Sequence, residues 1–305
     1  MKDTYYIETP LYRSHLLKKT TQKDVFYKLE CYQPAGSFKI RGMEFLCKHH
    51  YAAGKRNFIA SSGGNAGYSL AYVGQALGVH IKVVVPKTTS TFMIEKIKNL
   101  DAEVEVYGNV WDEAHEHALY LAEETGAVYV SPFDDPLLWE GHASMIDECA
   151  KEMPQPDKII VSVGGGGLLC GVFEGMKRNG WSTTQVITTE TKGAASFYES
   201  WHAKKLVTLD HINTVATSLG AKCIAKKSLE MAKEFQVLPV LLSDEEAIEA
   251  TEFFLKEYNV LVEPACGAAL SVPYFYSHLI EEGEKVLVIV CGGANTEIKR
   301  LLGTT

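Results

Sequence analysis

No long hydrophobic run occurs in this chain; its most apolar stretch, residues 285–291, is far too short to cross a bilayer and reads as a buried strand. The first residues, Met1-Lys2-Asp3-Thr4-Tyr5-Tyr6, lack the uninterrupted apolar core of a secretory signal peptide. Basic charge is in deficit, 30 Lys and Arg against 38 Asp and Glu, for a net charge of -8. Lys18-Lys19 and Lys226-Lys227 are isolated pairs, so nothing resembles a footprint for nucleic acid. Seven cysteines, an odd number, show no CxxC pair and no nearby histidine partner. That argues against a disulfide framework or a zinc site and for reduced thiols in a cytoplasmic protein. His49, His50, His115 and His117 fall on polar helical stretches and are expected at the surface.

What is present is ordinary globular composition, 46% hydrophobic and 22% charged over 305 residues, long enough for two lobes. Short apolar runs predict strands at 25–29, 57–60, 81–85, 104–107, 128–130, 159–163, 185–189, 240–242 and 286–290, several of them β-branched without polar alternation, as expected of strands buried on both faces of a parallel sheet. Amphipathic stretches between them predict helices at 40–51, 66–77, 92–100, 111–124, 138–152, 168–177, 228–235, 245–258 and 266–280. Such alternation means an α/β architecture. Proline, glycine and aspartate cluster at 32–36 and 132–136. The expectation is a small lobe, residues 34–135, inserted into a large one made of 1–33 and 136–305.

Chemistry gathers in four segments. In Pro34-Ala35-Gly36-Ser37-Phe38-Lys39-Ile40-Arg41-Gly42 one cation sits among turn-formers ahead of a helix. Held against Phe38 and partly desolvated, Lys39 would have a lowered pKa and a nucleophilic amine, as a Schiff-base lysine requires; the alternative is a solvated lysine at a helix start. Ala60-Ser61-Ser62-Gly63-Gly64-Asn65-Ala66-Gly67 joins a strand to a helix and could offer backbone N–H groups to a carboxylate. The competing reading is a tight turn capped by Asn65. In Ser162-Val163-Gly164-Gly165-Gly166-Gly167-Leu168 four glycines form a backbone nest for a phosphate at a helix N-terminus. No Lys-Ser/Thr follows, so it is not a P-loop. Finally, a buried strand delivers Cys291 to a glycine-lined strand end, where open α/β sheets bind ligands. Glu190 also ends a strand, as catalytic acid, cation ligand or structural acceptor.

In combination and order, these segments resemble the fold-type II pyridoxal-phosphate enzymes, most closely the serine/threonine dehydratases of the mammalian-type L-serine dehydratase group. The resemblance also covers Pro132-Phe133-Asp134-Asp135-Pro136, Trp139-Glu140-Gly141-His142 and Val262-Glu263-Pro264-Ala265-Cys266-Gly267-Ala268-Ala269. It implies a two-lobed fold like the tryptophan synthase β-subunit, each lobe a mainly parallel, open twisted sheet flanked by helices, and a homodimer. It also implies pyridoxal 5′-phosphate as cofactor and amino-acid substrates. Lys39 would then carry the cofactor and take the substrate Cα proton. Phe38 would pack on one ring face and the stretch Ser218-Leu219-Gly220 on the other. Asn65 would bond the 3′-oxygen, and Gly164, Gly165, Gly166, Gly167 and Leu168 would hold the phosphate. Ser62, Gly63 and Asn65 would hold the substrate carboxylate, and Cys291 would face the pyridine nitrogen. A monovalent cation such as K+ would bind at Gly164, Glu190, Ala194, Ser196, Leu219 and Ala221.

The implied reaction is β-elimination of L-serine or L-threonine to pyruvate or 2-oxobutanoate plus ammonia. A neutral Cys291 protonates the ring nitrogen less than an aspartate would, which favours prompt loss of the β-hydroxyl. Racemases of this fold carry a serine where this chain has Gly63, so efficient racemisation is not expected. Glycine there would enlarge the pocket and free the loop, lowering turnover or loosening substrate choice. The chain ends within fifteen residues of Cys291, so feedback inhibition through a C-terminal effector-binding domain is not expected. Other readings are a β-replacement enzyme of the same fold, a feebly active cofactor- or amino-acid-binding homologue, and a nucleotide or sugar-phosphate enzyme using the glycine run.

Overall fold

The computed structural model describes residues 4–296. The readings of residues 1–3 and of the chain's end lie outside them. Two sheets carry the molecule. The first has six strands in the order β1 (Leu11–Arg13), β2 (Asp24–Leu29), β10 (Lys285–Val290), β7 (Lys158–Ser162), β8 (Gln185–Thr191) and β9 (Gln236–Leu242). The second has four, β5 (Glu103–Val106), β4 (His80–Val85), β3 (Asn57–Ala60) and β6 (Val128–Val130). Every pairing is parallel except β1 with β2. The strands of the second sheet all fall, in chain order, between β2 and β7.

The β-branched runs at the centre of the first sheet behave as expected of strands covered on both faces, whereas the edge strands β5 and β9 stay half-exposed. All five residues of β7 are buried, as are the last five of β10. Among the described residues eleven α-helices cover the sheets, and those near the site are α2 (Lys39–Ala52), α3 (Asn65–Leu77), α5 (Trp111–Thr125), α6 (Pro136–Glu152), α7 (Gly167–Arg178), α8 (Ser196–Ala203), α9 (Lys226–Ala232) and α11 (Pro264–Phe275). Among the described residues no helix is long and apolar enough to cross a membrane.

Three elements escape the sequence pattern: β1, α1 (His15–Thr21) and α8. Two boundaries move by four residues or more. Strand β9 begins four residues before 240, taking in Pro239, which a strand at the sheet edge tolerates. Helix α11 stops at Phe275 rather than 280, two residues after Pro273.

Register delivers the site. Leu29 lies opposite Val290 and Ser162 opposite Thr189, so β2, β10, β7 and β8 end side by side. The turn before α2 is stitched to the end of β10: Phe38 N donates to Cys291 O at 3.0 Å and Gly293 N to Gly36 O at 2.9 Å. Gly36, with φ +66°, makes this turn, and a Cβ there would stand 2.8 Å from that of Ala294.

Candidate active site

Lys39 opens α2. Its Nζ donates to Pro132 O and stands 5.0 Å from the Phe38 ring centroid. Burial pulls its pKa down to about 8, against the opposing pull of Cys291 and Glu263. The expectation of a desolvated amine against Phe38 is met in the geometry. Behind Phe38 lies His142, edge-on at 4.8 Å between centroids. That ring is buried, and among the described residues neither nitrogen has a hydrogen-bond partner. Burial, with repulsion from Lys39 and Arg41, keeps its pKa well below the ordinary histidine value. Phe38 is thus backed by a neutral ring.

The loop at 62–65 leads into α3, and Ser62, Gly63 and Gly64 are partly exposed. Among the described residues the backbone N–H groups of Ser62, Gly63 and Asn65 donate to no protein acceptor. A Cβ on Gly67 would fall 1.8 Å from Ser62 O, so only glycine lets the loop fold back on the helix start. Asn65 does not cap α3. It is the first helical residue, and its Nδ2 donates to Glu263 Oε1 at 2.7 Å and to Ser218 Oγ at 3.4 Å. Its Oδ1 is buried without a partner among the described residues. Gly63 does not open space as expected. A Cβ there would meet Thr89 Cγ2 at 2.4 Å and Val85 Cγ1 at 3.1 Å, so neighbouring side chains fill the room that the missing methyl leaves.

Across from this loop, the four glycines form the nest. Gly166 has φ +87°, and Cβ atoms on Gly164, Gly165, Gly166 and Gly167 would come within 3 Å of Ser218 O, Phe133, Ser228 Oγ and Phe133 O respectively. The backbone N–H groups of residues 164–169, including the first turn of α7 at Leu168, have no acceptor among the described residues. Six free donors at a helix N-terminus are a phosphate cradle.

Cys291, at the end of β10, lies 3.6 Å from Ser162 Oγ and 3.2 Å, sulfur to sulfur, from Cys266. Burial pushes the Cys266 thiol well up, and it exchanges 3.0 Å hydrogen bonds with the Gly292 backbone. This end of the site therefore holds two thiols and a hydroxyl.

The structure adds Glu263, which the sequence shows only as part of a motif. It is buried and accepts from Asn65 Nδ2 and, at 2.8 Å, from Ser218 Oγ, joining the asparagine loop to the stretch beside Gly164. Burial raises its pKa, which those donors and Lys39 oppose.

Of the six cation positions, Glu190 accepts from Phe197 N at 2.8 Å and Tyr198 N at 2.7 Å, taking up the first turn of α8. Burial raises its pKa to about 8. Ser196 Oγ is buried and unpartnered among the described residues. Ala194 and Leu219 share one small apolar cluster, Leu219 faces Gly164, and Ala221 N donates to Leu219 O at 2.8 Å.

Two histidines leave the surface role expected of them. His115 and His117 are half-buried and bonded, His117 Nε2 to Glu105 Oε1 at 2.7 Å and His115 Nδ1 to Tyr129 Oη at 2.8 Å.

A half-buried amine with a depressed pKa, a nest of free N–H groups, an orphaned amide oxygen and a strand end lined by thiols together fit pyridoxal phosphate. A family profile described as pyridoxal-phosphate dependent enzyme matches residues 3–292. The human L-serine dehydratase/L-threonine deaminase is 44% identical over 308 residues, 97% of this chain and 93% of that protein. A rat serine dehydratase-like protein is 43% identical over 308 residues, 98% of this chain and 94% of that one. The crystal structure of a fungal L-serine ammonia-lyase from Rhizomucor miehei superposes with a TM-score of 0.93 at 34% identity, covering 98% of both chains. The chain belongs to the fold-type II pyridoxal-phosphate-dependent enzymes and, within them, to the serine/threonine dehydratase family, beside the mammalian-type L-serine dehydratases.

Proposed function

We infer that this protein is a pyridoxal-phosphate-dependent ammonia-lyase that converts L-serine to pyruvate and L-threonine to 2-oxobutanoate, releasing ammonia. The observation that carries the site assignment is the half-buried Lys39 amine, set 5.0 Å from the Phe38 ring centroid and bonded to Pro132 O at the mouth of the glycine nest. Pyridoxal phosphate attached there supplies the electron sink that makes the substrate Cα acidic. The chain's own residues do the rest. Gly164, Gly165, Gly166, Gly167 and Leu168 hold the phosphate by their free N–H groups, and Phe38, steadied by His142, covers one ring face. Asn65, tethered by Glu263, meets the 3′-oxygen. Ser62, Gly63 and Asn65 bind the substrate carboxylate, which fixes the Cα proton toward Lys39.

With its pKa so low, Lys39 is a competent base near neutrality, taking the Cα proton and returning to its resting state when product leaves. Cys291 and Ser162 would face the ring nitrogen with a thiol and a hydroxyl in place of a carboxylate, a setting that favours loss of the β-hydroxyl as water. Gly63 offers no side chain to return a proton from the opposite face, which disfavours racemisation.

The same reading places a monovalent cation at Gly164, Glu190, Ala194, Ser196, Leu219 and Ala221; the unpartnered Ser196 hydroxyl and the buried Glu190 carboxylate support it. It also takes the protein as a cytoplasmic homodimer. Residues 34–135 form the inserted lobe on this reading, supported by the four strands that, among the described residues, pair only with one another.

Lys39→Ala tests the assignment. The visible absorbance of the bound cofactor should vanish, and release of 2-oxo acid and ammonia from L-serine should fall to background. Retention of the band in that variant would remove Lys39 from its role. A thioether product in place of the oxo acid, when wild type is given L-serine and a thiol, would favour a β-replacement enzyme.

A further inference from the structure

Ser61 lies between β3 and the loop at 62–65 and is fully buried. Its Oγ is 2.9 Å from Tyr129 Oη, on β6, and Tyr129 Oη is 2.8 Å from His115 Nδ1, on α5. Ser61 Oγ to Nδ1 is a longer 3.5 Å. Trp111 stacks on the His115 ring at 4.7 Å and 7°, which holds the ring plane. None of these four side chains has a part in the chemistry described above.

The direction of the chain follows from protonation. Burial lowers the His115 pKa from its ordinary value, against the pull of Asp112 and Glu116, so the ring is neutral near pH 7. Burial pushes Tyr129 up to about 12, so it keeps its proton. With the imidazole proton on Nε2, Tyr129 O–H donates to Nδ1, and Ser61 O–H donates to Tyr129 Oη. Each hydroxyl proton then has one acceptor.

The loop needs such a hold. Gly63 and Gly64 give it backbone freedom. Its far end is fixed, by Gly67 packed against Ser62 O and by Asn65 bonded to Glu263. At the near end, the hydrogen bonds of the Ser61 hydroxyl run only to Tyr129 and His115 among the described residues.

We propose that Ser61, Tyr129 and His115 form a hydrogen-bonded prop that sets the position of the loop at 62–65, making Tyr129 and His115 positioning residues for the substrate carboxylate. This rests on reading that loop as the carboxylate site. The prop touches no reacting atom and acts only through the carboxylate contacts, so its loss weakens the hold on the substrate before it changes the chemical step.

The test uses holoenzyme and glycine, which carries the carboxylate but no β-hydroxyl to eliminate. Its dissociation constant is read from the change in cofactor absorbance, beside kcat and KM for L-serine. Tyr129→Phe and His115→Phe should each weaken glycine about tenfold and raise KM by a similar factor, with kcat within about twofold, as expected when a buried hydroxyl loses its acceptor. His115→Asn, which returns an amide oxygen near the place of Nδ1, should restore affinity to within about twofold of wild type. Unchanged glycine affinity in the Phe variants, a fall in kcat at constant KM, or no rescue by His115→Asn would overturn the proposal. Should His115→Phe fail to fold, Tyr129→Phe, which keeps its ring, carries the test. Ser62→Ala separates the two layers. If it leaves glycine binding intact, the carboxylate reading fails; if it weakens binding while the Phe variants do not, the prop alone fails.

Discussion

Lys39 owes its reactivity to a contest between desolvation and two neighbours. Burial lowers its pKa, while Cys291 and Glu263 raise it. Of these two, Glu263 is the one that can be neutralised with least change of shape. Its two oxygens accept from Asn65 and Ser218, which favours the ionised form. Glu263→Gln removes that negative charge, so the Lys39 ammonium loses stabilisation and its pKa falls below about 8. Only the free amine attacks an aldehyde, so the rate of cofactor uptake by apoenzyme rises with pH through this pKa. The midpoint of that rise, followed by absorbance at several pH values, should move to lower pH in Glu263→Gln. An unmoved or upward midpoint would show that Glu263 does not act on Lys39 through charge.

Between elements, the close approach of α2 and α6 decides where Lys39 points. A Cβ on Gly42 would meet Leu138 O at 2.7 Å and His142 Cε1 at 2.5 Å, and one on Gly141 would meet Arg41 O at 2.5 Å. Gly141→Ala or Gly42→Ala must push the helices apart against backbone that cannot swing away. The expected cost is about 1–3 kcal/mol, seen as a lower melting temperature of apoenzyme, together with weaker cofactor retention on dialysis. This is also the scale at which the sequence is most and least legible. Elements with buried stripes or β-branched runs are placed within a few residues, since their pattern is local. Helix α8 is not, because the carboxylate that takes up its first N–H groups comes from Glu190, six residues before the helix, instead of an adjacent cap. Helix α1 has a local cap in Ser14 but buries only Leu17, so it shows no stripe. The same logic divides the site. Lys39, Asn65, the glycine nest and Cys291 each sit at a strand or helix end marked by glycines. Glu263 and the Ser61, Tyr129 and His115 chain are defined by contacts between distant segments; 198 residues separate Asn65 from Glu263.

At the scale of the whole molecule, a buried ionic network ties the N-terminal segment to both strand β2 and helices α2 and α6. Arg41 bonds Glu30 at 2.7 and 2.8 Å and Glu148 at 2.5 and 2.7 Å, and Lys28 reaches Glu148 at 2.6 Å. All four side chains are buried. Their two positive and two negative charges balance, and the residual valences go to the segment at 5–9. Lys28 Nζ donates to Thr9 O, Thr9 Oγ1 donates to Glu30, and Arg41 Nη2 donates to Ile7 O. Burial alone would raise the Glu30 pKa, but Arg41, Thr9 and Lys28 together hold it below the ordinary carboxylate range. A depressed carboxylate contributes stability that is present above its unfolded pKa and lost as pH falls through its folded one, so this contribution disappears only below the ordinary carboxylate range. Removing a partner is more drastic than acid. Arg41→Met fills the volume but leaves two buried carboxylates facing one lysine, and breaking such a network costs about 3–5 kcal/mol. Urea unfolding at neutral pH should show that loss in the midpoint, and hydrogen exchange should show the Thr9 amide, which donates to Glu148, losing protection first. The deficit should shrink as pH falls, since protonating the stranded carboxylates removes the uncompensated charge. A deficit that is constant or grows toward acid would mean that Arg41 stabilises the fold by packing and not by charge.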